Sequence, residues 1–65
     1  MKIEYYTIIA RYENGEIIET RRHTKEGMET CVTQYENARD VVKISVYEHC
    51  DLLREPTRLF TQGVA

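Results

Sequence analysis

The side chains best suited to act as nucleophile, base or metal ligand in this 65-residue sequence are His23, His49, Cys31, Cys50 and Asp51, and of these only His49-Cys50-Asp51 is compact. That triplet closes a run, Val41 to His49, whose alternation is that of a β-strand. Neighbours on a strand project to opposite faces, so His49 and Cys50 are badly placed to share a metal or to pair as base and nucleophile. Cys31 and Cys50 form neither a Cys-x-x-Cys pair nor a zinc-finger spacing. Both are expected as reduced thiols, since cytosolic disulfides are scarce; a Cys31–Cys50 bridge is the alternative, to be decided by their separation. The glycines, Gly15, Gly27 and Gly63, make no GxGxxG or Walker loop for phosphates. The expectation is a protein that is not an enzyme, with no catalytic residue, no metal and no cofactor.

Charge narrows the partners. Nine Lys and Arg stand against eleven Asp and Glu, a net charge of −2, with both signs interspersed from Lys2 to Arg58. This balance argues against a bulk phosphate-binding surface and is too mild for a DNA mimic. No apolar run approaches the roughly 20 residues of a membrane span. The start, Met1-Lys2-Ile3-Glu4-Tyr5, lacks the apolar core of a signal peptide, so a soluble cytoplasmic protein with no membrane contact is expected. One basic cluster, Arg21-Arg22-His23 with Lys25, falls where a strand should turn into a helix. It can meet an acidic partner or a phosphate at the helix N-terminus, although a solvated corner needs no such role.

The elements that position these residues form one domain, 1–65. Asn14-Gly15 between two β-rich runs signals a hairpin of strands 2–12 and 16–22. Thr24 can cap a helix over 24–36, in which Met28, Cys31, Val32 and Tyr35 recur as a single stripe. Gly27, Thr30, Val32 and Thr33 are poor helix formers, so this helix depends on packing its stripe against the sheet. A third strand follows over 41–49, then an arm over 51–65. In the arm Asp51 to Glu55 can make a helical turn, Pro56 interrupts it, and 57–62 has room for a short strand. A right-handed crossover through the helix gives strand order 2-1-3. The fold class expected is therefore α+β: a three- to four-stranded antiparallel sheet with one helix on one face, ββαβ(β).

The first strand is apolar on both alternating sets, so it should be central and covered to some extent on both faces. Two registers compete for its partner. A two-residue Asn14-Gly15 turn pairs Tyr12 with Ile17 and sends Glu19 and Arg21 to the Tyr6/Ile8 face. A three-residue loop, Glu13-Asn14-Gly15, with Gly15 in the left-handed region, pairs Ala10 with Ile18 and Ile8 with Thr20. The second gives the cleaner core face of Tyr6, Ile8, Ala10, Ile18 and Thr20 and is preferred. It gathers Tyr5, Arg11, Arg21, Lys43 and Tyr47 on the opposite face, together with Ile3, Ile9, Ile17, Val41 and Glu19.

Tyrosines and cations around an aliphatic centre suit a protein contact, while the same aromatics and cations can also stack and pair with nucleic acid. Leu52, Leu53, Leu59 and Phe60 must either cover the second sheet face or dock on another copy. The candidate partner-binding residues are thus Tyr5, Arg11, Arg21, Lys43, Tyr47, Leu59 and Phe60. Because a core this small supplies only roughly 3–5 kcal/mol, homodimerisation is expected too.

The succession of a TIIARYENGEIIET hairpin, a TKEGMETCVTQYENA helix and a VVKISVYEH strand, over residues 5–49, resembles the compact ββαβ accessory proteins that bacteriophages and other mobile elements encode. The likeness is one of architecture and carries no functional residue across. It implies a stand-alone modulator or inhibitor that works by occupying a surface on a larger host protein, with nucleic-acid binding through the exposed sheet face as the alternative.

Overall fold

The structure, a computed structural model, describes residues 2–64. Its strands are β1 (Ile3–Tyr12), β2 (Ile17–Arg22), β3 (Val41–Cys50) and β4 (Thr57–Gly63), with one helix, α1 (Lys25–Glu36), between β2 and β3. The fold is α+β: a four-stranded antiparallel sheet in the order β2-β1-β3-β4, with α1 packed on one face. Among the described residues no helix is long and apolar enough to cross a membrane.

The hairpin takes the three-residue loop. Gly15 has φ +91°, Gly15 N–H donates to Tyr12 O at 2.9 Å, and Tyr12 N–H donates to Glu16 O at 2.7 Å. Asn14 Oδ1 accepts from Glu16 N–H at 2.9 Å, which fixes the turn from inside. Ala10 consequently faces Ile18 and Ile8 faces Thr20. Thr24 caps α1, its hydroxyl accepting from Gly27 N–H at 2.9 Å. A Cβ on Gly27 would stand 3.0 Å from that hydroxyl, which gives this weak helix former a reason to be there.

The core is Tyr6, Ile8 and Ala10 from β1, Met28, Cys31 and Val32 from α1, and Val41, Ile44 and Val46 from β3. Two expectations about it fail. Ile18 remains 38% exposed, because β2 is an edge strand and the helix lies chiefly over β1 and β3. On that side the helix is held instead by Tyr35 Oη and Thr20 Oγ1, 2.8 Å apart. Val41 belongs to the core rather than the open face. The β1–β3 register slips between Arg11–Lys43 and Tyr12–Val41, leaving Val42 as the extra residue of a bulge. Val41 therefore turns inward at 2% exposure and Val42 outward at 39%. Simple alternation assigns them the other way round. Glu13 N–H donates to Asp40 O at 2.7 Å, tying the hairpin turn to the loop that starts this bulged segment.

The C-terminal arm folds back as β4 against β3, one residue longer than the 57–62 expected. Asp51 to Glu55 makes turns and bends, not a helix. Leu52 and Leu53 stay exposed on this connection and do not roof the second face of the sheet. A second slip, between Val46–Phe60 and Tyr47–Arg58, leaves Leu59 unpaired in β4.

The inverted pair of valines is directly testable. Val41→Ala should lower stability in urea by about 2 kcal/mol, from the two buried methyl groups lost. Val42→Ala should stay within about 0.5 kcal/mol of wild type, as exposed substitutions do. Gly15→Ala should cost roughly 1–2 kcal/mol, since alanine must enter the left-handed region.

Candidate functional site: the open face of the sheet

Among the described residues no helix or strand covers the sheet opposite α1. Its side chains fall into cross-strand rows fixed by the register. One row runs Arg21, Thr7, Tyr47, Arg58 from β2 to β4. Beside it Tyr5 faces His49; beyond it lie Glu19, Ile9, Ser45, Thr61 and then Ile17, Arg11, Lys43, Gly63. Four cations therefore share this face with one carboxylate of the rows, Glu19, in a chain whose net charge is −2. The outer surface of α1 carries the opposite excess, with Glu26, Glu29 and Glu36 against Lys25.

The centre is ordered by stacking. The rings of Tyr5 and His49 lie 4.1 Å apart and 20° from parallel, and the Arg21 guanidinium sits 4.3 Å from the Tyr5 ring centre. Since β2 and β3 flank β1 on opposite sides, the Tyr5 ring is sandwiched between cation and imidazole. Thr7 beneath them is 5% exposed, and its hydroxyl lies 3.0 Å from His49 Nε2. A buried hydroxyl is costly unless bonded, so this pair fixes the imidazole's orientation and, through it, the stack. Next to the stack is a shallow cup of about 230 Å³, lined by Thr7, Ile9, Glu19, Arg21, Tyr47, His49 and Pro56.

Of the candidate residues, Tyr5, Arg11, Arg21, Lys43 and Tyr47 come together on this face. Leu59 and Phe60 do not. They line a separate groove of about 430 Å³ on the helix side, with Met28 and Val32 at its base and Glu29 and Glu36 along it. Three contributors were not among the residues assigned to this face from the sequence, His49 having been weighed only for catalysis or metal binding. His49 and Thr7 share the parity of Tyr47 and Tyr5, so alternation already signalled them; Arg58 was hidden by the bulge at Leu59.

The nucleophile candidates are not assembled. His49 faces Thr7 on the open side, whereas Cys50 is buried and its thiol donates to Glu48 Oε1 at 3.6 Å. Cys31 is buried in the core, and no disulfide joins the two cysteines. Burial pushes the Cys31 thiol above its ordinary range, with Arg22 and Thr20 opposing. Burial also raises the Cys50 thiol, helped by its hydrogen bond to Glu48 and by the charges of Glu48 and Asp51. Neither is activated toward nucleophilic chemistry. His23 is exposed at the strand-to-helix corner beside Arg22, whose Nη1 donates to Arg21 O at 2.9 Å. Among the described residues no group of three or more His, Cys, Asp or Glu is placed to hold a metal ion.

The raised thiols set a pH dependence. An unfolded cysteine ionises near pH ~8.5, whereas the folded chain keeps both protons to higher pH, so above that point unfolding releases protons and stability falls as pH rises. Urea midpoints should be flat in this respect below about pH 8 and decline above it. The Cys31→Ala, Cys50→Ala double variant should show a shallower decline; an identical slope would contradict the assignment. Comparison of the chain with protein-family models, with curated proteins and with solved structures finds no match.

Proposed function

We propose that this protein is a non-enzymatic binding module that modulates or inhibits a larger protein, and that the open face of the sheet is its recognition surface. The observation that carries the proposal is the sandwich of Arg21, Tyr5 and His49 over buried Thr7, beside a cup walled by Tyr47. Tyrosine and arginine held rigid around an apolar centre are the anchors typical of protein interfaces, because little side-chain entropy is left to lose on binding. Four cations on the same face favour an acidic partner surface and speed its approach.

Nucleic acid is the competing occupant, supported by the same cations and by Tyr47. Base stacking needs free aromatic faces, however, and both faces of the Tyr5 ring are already taken. This leaves Tyr47 and the outer side of His49 as the platform. A protein partner fits better.

A second copy of the chain is the further partner proposed, at a different place. Leu59 and Phe60 at the sheet edge leave apolar surface exposed along the α1–β4 groove, and Leu52 and Leu53 are exposed on the connection before β4. The bulge at Leu59 disturbs the ladder of this edge, so association there rests on side chains filling the groove.

Three measurements check these assignments. Protein captured from a lysate of the native host by the wild type should be lost with Tyr47→Ala and with Lys43→Ala. Fluorescence anisotropy with single-stranded oligonucleotides should show no binding even at low salt; binding that weakens steeply as salt rises would transfer the face to nucleic acid. Light scattering should give twice the chain mass for wild type and the single-chain mass for Phe60→Glu; a monomeric wild type would remove the dimer.

A further inference from the structure

We infer that the cup beside the stack receives one aromatic side chain of an acidic peptide segment, the ring lying on Ile9 against Tyr47 and the neighbouring carboxylate reaching Arg58. This rests on the open face being the recognition surface and names what that surface takes.

Size comes first. A cavity of roughly 150 Å³ accommodates a benzene ring, so a cup of about 230 Å³ has room for one. The lining is amphiphilic: Ile9, Tyr47 and Pro56 offer apolar contact, while the Thr7 hydroxyl and His49 Nε2 are paired with one another at 3.0 Å. A flat apolar side chain meets these walls without stranding a polar group.

Charge places the anion outside the cup. Glu19 on the wall repels a carboxylate drawn inside. Arg21 and Arg58 stand at the two ends of the row through Thr7 and Tyr47, and Arg21 is engaged with Tyr5, which leaves Arg58 as the outlying cation. Lys43 and Arg11 lie two rows away, roughly 13 Å along the strands at about 3.4 Å per residue, close enough for a second acidic residue of the same segment. The α1–β4 groove is apolar too, but Glu29 and Glu36 line it, so an acidic segment is turned away there and drawn to the sheet. A nucleotide shares the pairing of ring and anion but lacks a stacking partner at Tyr5, where His49 and Arg21 already lie against the ring.

The test is an amide-resonance titration with three probes: N-acetyl-aspartyl-phenylalanine amide, phenethylamine and adenosine monophosphate. The acidic dipeptide should shift Thr7, Ile9, Tyr47 and His49, with phenethylamine weaker at the same resonances and adenosine monophosphate weaker still. Arg58→Glu, an exposed change that leaves the core untouched, should weaken the dipeptide about two- to five-fold, as expected for one solvent-exposed ion pair. Tyr47→Ala should abolish the shifts at Thr7 and Ile9. Tighter binding of adenosine monophosphate, shifts centred on Met28 and Val32, or indifference to Arg58→Glu would each overturn the assignment. If the dipeptide shifts nothing while host protein is still captured by wild type and lost from Tyr47→Ala, the occupant is wrong and the open-face reading stands. Loss of both results removes both.

Discussion

Everything on the open face depends on the three-residue turn that closes the first hairpin. Gly15, at φ +91°, absorbs the extra residue and sets Ala10 against Ile18 and Thr7 against Arg21. A slip of one residue would exchange the faces of β2 and carry Glu19 and Arg21 toward the helix. The core would gain two charges, and the guanidinium that stacks on Tyr5 would leave. Fold and open face are thus fixed by one backbone feature. Stability alone would tolerate many sheet faces opposite α1; only this register yields the row Arg21, Thr7, Tyr47, Arg58.

A second constraint is that β1 has to serve two faces. Tyr6, Ile8 and Ala10 bury themselves beneath α1, while Tyr5, Thr7 and Ile9 form the floor of the other side. With no layer over them, those three must be shielded by their own neighbours. The sandwich of Arg21, Tyr5 and His49 does this, burying Thr7 without a second helix. The shielding is local and leaves the cup open beside it. Such packing holds the side chains of a small domain in place and leaves them little conformational entropy to lose.

Much of this architecture was legible in the residues. Asn14-Gly15, the capping Thr24 and the stripe Met28, Cys31, Val32 and Tyr35 are local signals, and each element they mark begins within one residue of where they place it. What alternation misassigned lay at bulges. At Val42 and Leu59 one strand holds an extra residue, and strict period two then gives the wrong face to everything beyond. Val41 moved into the core by this route, and Arg58 joined the open face unannounced. Bulges depend on the partner strand, which no local pattern reports. The exposure of Ile18 and the separation of Leu59 and Phe60 from the tyrosines have a similar origin, since both follow from which strands lie at the edges and how far α1 reaches across them.

Methyl chemical shifts in the complex with a captured host protein report directly which side of the sheet meets a partner. The Thr7 and Ile9 methyls lie on the open face, and those of Met28 and Val32 lie beneath the helix and along the α1–β4 groove. Large shifts of Thr7 and Ile9, with Met28 and Val32 unmoved, are the outcome that recognition through the open face predicts. The reverse pattern would place recognition on the helix side and contradict the central claim.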